Sequence, residues 1–327
     1  MFKKKSLVSE IIRLVILLFA VSVLAFVLIT SAPIDPLTSY IGTESTLSPE
    51  ARQEIANYWG LNDPLPQRFF TWLGHLFHGD LGQSITYKRP VAAIIGERFT
   101  MSIILMIVSW VLSGIIGFIL GMFCGKHENS VFDRIIKTIF LGLKSAPTYW
   151  LGLIILTVFA VLLGWFPIGM AAPIGKAATD VTLGDRIYHL ILPAFTLTIV
   201  SMGDVILYTR QKYIDIARSD YVLYARTRGE TDGQITRRHI LRNIALPAIT
   251  LQFASFSELF GGMALAENVF SYPGIGTATT AAALNADVPL LLGISLVSAV
   301  FVFSGNLIAN ILYGVFDPRI REGKAHA

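Results

Sequence analysis

Six apolar runs, each near the roughly 20 residues an α-helix needs to cross a bilayer, leave few folds open to this chain. They are Leu14–Ile29, Phe99–Gly125, Phe140–Leu163, Leu190–Tyr208, Ala248–Phe270 and Leu290–Val315. Hydrocarbon offers the backbone no hydrogen-bond partners, so such a segment satisfies its N–H and C=O groups within a helix. Charged residues make up 15% of the chain, against about 25% in soluble domains. The expected fold is an all-α integral membrane protein with six transmembrane helices. Pro147 and Pro193 fall within or at the edge of two runs, which bundled helices tolerate. The lone Cys124 excludes an intrachain disulfide and a cysteine metal cluster, and reads as a small packing residue.

Charge between the runs orients them. Lys3, Lys4 and Lys5 precede the first. A signal peptide would begin the same way, but its apolar stretch is usually about 7–15 residues, so 1–31 is expected to be a retained span and its cytoplasmic lead. Residues 32–98 should form a small extracytoplasmic region. There Pro33 and Pro36 stop the span, and Ser48-Pro49-Glu50 opens a helix that Gly60 closes. A second amphipathic helix would put Phe69, Trp72, Leu73 and Leu76 on one face. The Gly125–Ile139 loop carries Lys126, Arg134 and Lys137, and the tail at 317–327 carries Arg319, Arg321 and Lys324. The Gly164–His189 loop has only Lys176 and Arg186, and Glu267–Pro289 has neither lysine nor arginine. Basic loops alternate with neutral ones, which places both termini in the cytoplasm and 99–316 as the membrane core. The net charge of +4 is confined to these loops, so nucleic acid is not an expected partner.

The loop at 209–247 is the most cationic stretch, with Arg210, Lys212, Arg218, Arg226, Arg228, Arg237, Arg238 and Arg242. It reads as two helices at a bend. The first would run through Tyr213–Arg228 and end at Gly229, a natural left-handed terminator. Thr231 with Gln234 forms a capping pair for the second, which would reach about Asn243, with Pro247 marking the start of the next span. Anionic lipid and topology alone would explain the charge. Neither needs a helix–glycine–helix, nor small residues at Ala225 and Gly229 that suit close approach of another backbone.

At this point the residues resemble a family. Ala225, Gly229 and Leu246-Pro247 look like the cytoplasmic loop of ATP-binding-cassette importer permeases, with Leu223-Tyr224 in place of the usual acidic-Ala pair. Asp220-Tyr221-Val222, Ala225-Arg226 and Arg238-His239-Ile240-Leu241-Arg242-Asn243 resemble the dipeptide, oligopeptide and nickel branch. So do Gly60-Leu61-Asn62-Asp63-Pro64-Leu65, Gly79-Asp80-Leu81-Gly82-Gln83-Ser84, Tyr272-Pro273-Gly274-Ile275-Gly276 and Asp317-Pro318-Arg319. Arg237–Pro247, Ser257–Gly262 and the ending with Ala325-His326-Ala327 look closest to the nickel-import permease. The resemblance implies a type I permease, the first of two homologous subunits, importing nickel or a nickel chelate, or alternatively dipeptides or oligopeptides. It implies two cytoplasmic ATPase subunits docked on the loop through Asp220, Tyr221, Ala225, Arg226, Gly229, Arg238, Arg242 and Pro247. It also implies an extracytoplasmic substrate-binding protein.

Within the spans, Glu258 stands in the middle of the fifth run, where a carboxylate costs several kcal/mol unless protonated, paired or facing water. It is either a pathway-lining group or a hydrogen-bonded structural acid. Asp204 is a second pathway candidate and is expected to pair with Arg210. His75 and His78 near Asp80 have helical ligand spacing without a third ligand, so no metal site is expected there. Gly114, Gly117, Gly121 and Gly261-Gly262 read as helix-crossing points. With no GxxxxGK[ST], HExxH or GxSxG, no catalytic residue and no cofactor is expected. A self-sufficient secondary transporter is the rival class, and it would want mid-membrane coupling sites in both halves.

Overall fold

The computed structural model describes residues 4–31, 48, 50, 53 and 63–316, and side-chain surroundings between residues 12 and 308. Pro33, Pro36, most of the helix expected from Pro49 to Gly60 and the Asp317-Pro318-Arg319 tail lie outside the described residues. Among the described residues the chain is helical, with one isolated β-bridge between Gln83 and Pro90. The helices are α1 Lys4–Thr30, α2 Leu65–Phe77, α3 Val91–Lys126, α4 Val131–Lys144, α5 Thr148–Ile155, α6 Leu183–Ala217, α7 Asp220–Thr227, α8 Asp232–Ile235, α9 Leu241–Ala254, α10 Phe256–Val269, α11 Ile275–Leu284 and α12 Val288–Phe316. Two π-helical stretches, Leu156–Leu162 and Thr236–Ile240, prolong α5 and join α8 to α9.

Among the described residues, four helices are long and apolar enough to cross a membrane, and two bent helix pairs raise that to as many as six. Three of the expected spans take a different form. Phe140–Leu163 is not one helix: α4 ends at Ser145, and Thr148–Leu162 departs at 116°. Pro147 has no N–H to return to the preceding turn and disfavours helical geometry at Ala146, so it sits as the cap of a new helix with ψ 133°. Pro247 does the opposite. It lies inside α9, and the break expected there occurs eight residues on at Ser255, where the chain bends by 51°. Packing decides this, because Ile244 and Ala248 on either side of Pro247 are both buried. The third difference is α6, which runs unbroken for 35 residues, about 52 Å, well past the Tyr208 at which the span was expected to end. A helix at Ile275–Leu284, too short to span, also forms where only a loop was expected.

Two units are distinguishable. The first comprises Met1–Ser102 and Pro273–Ser304. Its core joins Val91, Ile94 and Ile95 to Ile275, Ala278, Ala282, Leu290 and Ile294. Asp287 is fully buried there and accepts from Ser84 Oγ (2.5 Å), Thr86 N (2.9 Å) and Leu290 N (3.2 Å), which fixes the turn before α3 to the start of α12. The amphipathic α2 forms as expected, with Phe69, Trp72 and Leu73 packed against Phe26 of α1.

The second unit comprises Ile103–Tyr272 and Gly305–Ala327. Here α3 lies backbone-to-backbone on α6. A Cβ on Gly121 would stand 2.7 Å from the Ile206 carbonyl oxygen, and one on Gly125 would stand 2.5 Å from Tyr213 Cβ. Gly117 meets Val205 in the same way, so the expected glycine stripe is real and gains Gly125. Gly114 faces Gln252 instead, whose Nε2 donates to the Trp110 carbonyl (2.6 Å) while Trp110 Nε1 donates to the Gln252 carbonyl (2.9 Å). Gly261 has no atom within 4 Å of its Cβ position and Gly262 only Thr148 Oγ1 at 3.9 Å, so that pair is not a tight crossing within this chain.

The start of α4 is fixed to α6 by charge. Arg210 donates through Nε and Nη2 to Asp133 Oδ1 (2.5 Å) and Oδ2 (2.7 Å), and the Asp133 side chain is 1% exposed. Asn129 N adds a third donor at 2.8 Å. The Arg210 hydrogen bonds, with Asn129 behind them, hold the Asp133 carboxyl below the usual carboxylate range.

Gly121→Leu should lower the thermal unfolding midpoint in detergent sharply, since backbone rather than a flexible side chain meets the new atoms, whereas Gly142→Ala, with open space around it, should not. Asp133→Ala should cost about 3 kcal/mol by leaving the Arg210 guanidinium buried and unpaired. A carboxyl depressed in the folded state contributes stability above its unfolded pKa, so unfolding midpoints should be level from about pH 5 to 8 and fall below about pH 4, less so in Asp133→Asn.

Candidate functional site

The cationic loop folds into a braced corner. After Ala217 the chain leaves helical geometry at Arg218, and α7 begins at Asp220, so the first helix is shorter than the Tyr213–Arg228 expected. Ser219 marks the new start with ψ 152°. α7 ends as foreseen: Gly229 has φ +84°, its N–H donates to the Arg226 carbonyl (3.0 Å) and Glu230 N–H to the Ala225 carbonyl (3.2 Å). That is the paired closure a left-handed terminator provides. Thr231 and Gln234 then cap each other reciprocally and open α8.

Beneath the corner is an apolar core of Tyr213, Val222, Ala225, Ile235, Ile240 and Ile244. Tyr213 also shares a 3.0 Å hydrogen bond with Thr236 Oγ1, so α6, α7 and the α8–α9 arm are held together. Ala225 is therefore small for a reason other than the one expected. It is 4% exposed and packed on its own chain, and does not present itself to a partner. At Gly229, by contrast, nothing lies within 4 Å of a Cβ position, and the corner is open.

Charge surrounds the open side. Glu230 accepts from His239 Nε2 at 3.0 Å, Arg218 pairs with Glu128 at 2.7 Å, and Arg226 reaches Asp232 at 3.5 Å. Arg228 stacks 6.0 Å over the Tyr224 ring. Asp220, Tyr221, Arg226, Arg238 and Arg242 are exposed, while Pro247 is half-buried within α9. Leu223 and Tyr224, which the sequence marked only as departures from a pattern, are 62% and 64% exposed. The corner thus offers an apolar and aromatic tip ringed by guanidinium groups, on a rigid base.

The membrane carboxylates are placed elsewhere in this unit. Asp204 does not meet Arg210: six helical residues turn the two side chains about 120° apart. It pairs with Lys144 Nζ at the end of α4, and Arg210 turns to Asp133. Glu258 lies in the first turn of α10, immediately after the Ser255 break, and is exposed. Its neighbour Ser257 donates to Asn306 Oδ1 of α12 at 2.7 Å, and the Phe256 ring fills the space where a Cβ on Gly305 would sit. The break is therefore held in place from α12. Lys144 was missed because it seemed to fall inside a continuous span.

No group of three or more metal-ligating side chains occurs among the described residues. His75 Nδ1 lies 3.4 Å from Asp80, and His78 Nδ1 donates to the Gly74 carbonyl at 2.8 Å. His189 is used in packing, 2.8 Å from the Gly169 carbonyl.

Residues 117–322 match the family described as the binding-protein-dependent transport system inner membrane component, and residues 3–106 match its amino-terminal companion. Among curated relatives, the chain is 37% identical over 306 residues to the oligopeptide transport system permease protein AppB of Bacillus subtilis, covering 93% of this chain and 95% of the relative. It is 31% identical over 319 residues to the di/tripeptide transport system permease protein DppB of Pseudomonas aeruginosa, with the same coverage of each. A long helical core with a braced basic corner, and matches spanning nearly its full length, place this chain in the family of inner membrane permease components of binding-protein-dependent ATP-binding-cassette importers.

Proposed function

We propose that the chain is one of two homologous permease subunits of an importer for dipeptides or oligopeptides, driven by separate ATPase subunits at the corner around Gly229. The observation that carries this reading is the corner itself. It is locked by the Gly229 closure and the reciprocal Thr231–Gln234 cap, rooted in a core shared with α6, and carries Leu223, Tyr224 and Arg226 outward. An apolar helix tip with a cationic rim suits a groove in a folded partner better than it suits lipid headgroups, which need charge but no rigid bend.

The cargo follows the relatives, whose names specify oligopeptides and di- or tripeptides. Nickel, which the Arg237–Pro247 stretch and the ending suggested, finds no comparable support. In this reading both termini are cytoplasmic, 32–98 is extracytoplasmic and receives the binding protein, and 209–247 is the cytoplasmic coupling loop. ATP binding draws the ATPase subunits together, the corners follow, and the permease pair rocks between inward- and outward-facing states. Glu258 and Asp204 belong to the pathway, and this chain performs no covalent chemistry.

Two experiments test the reading. In the purified complex with its binding protein, short peptides should stimulate ATP hydrolysis and nickel salts or chelates should not; the reverse would transfer the assignment to metal. Gly229→Trp, at a left-handed and open position, should abolish uptake and reduce co-purification of the ATPase subunits at least several-fold. Uptake that persists in that variant without any ATPase subunit would point to a self-sufficient transporter.

A further inference from the structure

Three ionisable groups on three helices stand beside the two helix breaks of the second unit. Lys144 ends α4 just before the 116° turn, Asp204 faces it from α6, and Glu258 follows the 51° bend at Ser255. The Lys144–Asp204 pair is 59% and 41% exposed at its side chains, so neither the pair nor Glu258 is buried by this chain. Glu258 is exposed in the first turn of α10, and no hydrogen bond or ion pair within 4 Å engages it among the described residues. The three formal charges sum to minus one, and the excess lies on Glu258.

Such a group cannot face hydrocarbon at an acceptable cost, so water, a partner or cargo must meet it. A tightly packed subunit interface would have to desolvate all three charges, which costs several kcal/mol for each ion. A wet pathway leaves them solvated and gives the unpaired carboxylate a use. Resting on the peptide reading above, we propose that Lys144, Asp204 and Glu258 form a cation-accepting station in the pathway, in which Glu258 receives the free α-ammonium of a passing peptide. The Lys144–Asp204 pair serves as a positioning group. It keeps the region polar, and its ammonium repels a second cation from the Asp204 side.

The geometry supports a fixed station. Phe256 against Gly305, and the Ser257–Asn306 hydrogen bond, hold the first turn of α10 to α12, so Glu258 is presented from an anchored helix start. The exposed positions Glu258, Gly261 and Leu265 then continue along one face of α10, with no atom within 4 Å of the Gly261 Cβ position. A peptide backbone would pass there without meeting a side chain at Gly261.

The test uses the complete importer with its binding protein in proteoliposomes. Glu258→Gln should leave the second permease in the complex and raise the KM for uptake of a free-amine tripeptide about tenfold, the scale of one lost charged hydrogen bond. Glu258→Asp should recover most of that loss. In a Cys124→Ala background, Glu258→Cys should be labelled during ATP-driven uptake by a peptide bearing a thiol-reactive group near its amino end, and not by one bearing it at the carboxyl end. Unchanged KM in Glu258→Gln, or equal labelling from both ends, overturns the station while leaving the peptide reading intact. Loss of the second permease from the Glu258→Gln complex overturns it in favour of a subunit contact. If the wild type imports no peptide at all, the functional reading fails first and takes the station with it.

Discussion

The apolar core beneath Gly229 ties the corner to the helices on either side of it. Val222 and Ala225 from α7, Ile235, Ile240 and Ile244 from the opposite arm, and Tyr213 from the long α6 share that core. α6 is unbroken from Leu183 to Ala217 and α9 continues through Pro247, so the core beneath the corner packs α7 against a long helix and joins it to the α9 arm. A loop of separate small helices on flexible joints would dissipate a displacement of the corner. The caps at Gly229 and Thr231 keep the bend from opening, and the core keeps it from sliding.

In the second unit, close helix crossings and helix breaks are set apart from each other. Gly117, Gly121 and Gly125 bring α3 into backbone contact with α6, and the Asp133–Arg210 pair adds α4 near the cationic end. The breaks at Pro147 and Ser255 lie beside Lys144 and Glu258. Interrupted helices near the middle of a membrane free backbone and side-chain positions that continuous helices would cover, and they are tolerated where they border protein or water. In the first unit the buried Asp287, accepting from Ser84, Thr86 and Leu290, has a different task, securing the turn that precedes α3.

What could be read from the sequence was mostly local. Gly229 as terminator and Thr231 with Gln234 as a capping pair involve residues within five positions of each other, and both form as their chemistry dictates. The family resemblance was legible for a similar reason, since short motifs survive without any knowledge of packing. Prolines show where local reading ends. Pro147 breaks its helix and Pro247 does not, and the difference lies in tertiary burial of Ile244 and Ala248, which no local rule contains. Asp204 was matched with Arg210 by nearness along the chain, although helical rotation points them apart and a lysine 60 residues away claims the carboxylate. Ala225 looked like a contact for another protein because it is small and sits in a basic loop. Only the fold shows that its neighbours are its own.

The corner's proposed role is to be the place where another protein grips this one. The most direct measurement places a photoreactive side chain at Leu223, 62% exposed at the tip, in the importer assembled in intact membranes, and identifies what it captures on illumination. Capture of a nucleotide-hydrolysing subunit, weakened when that subunit is absent, is the predicted result. Capture of lipid alone, or of a protein on the outer face of the membrane, would contradict it.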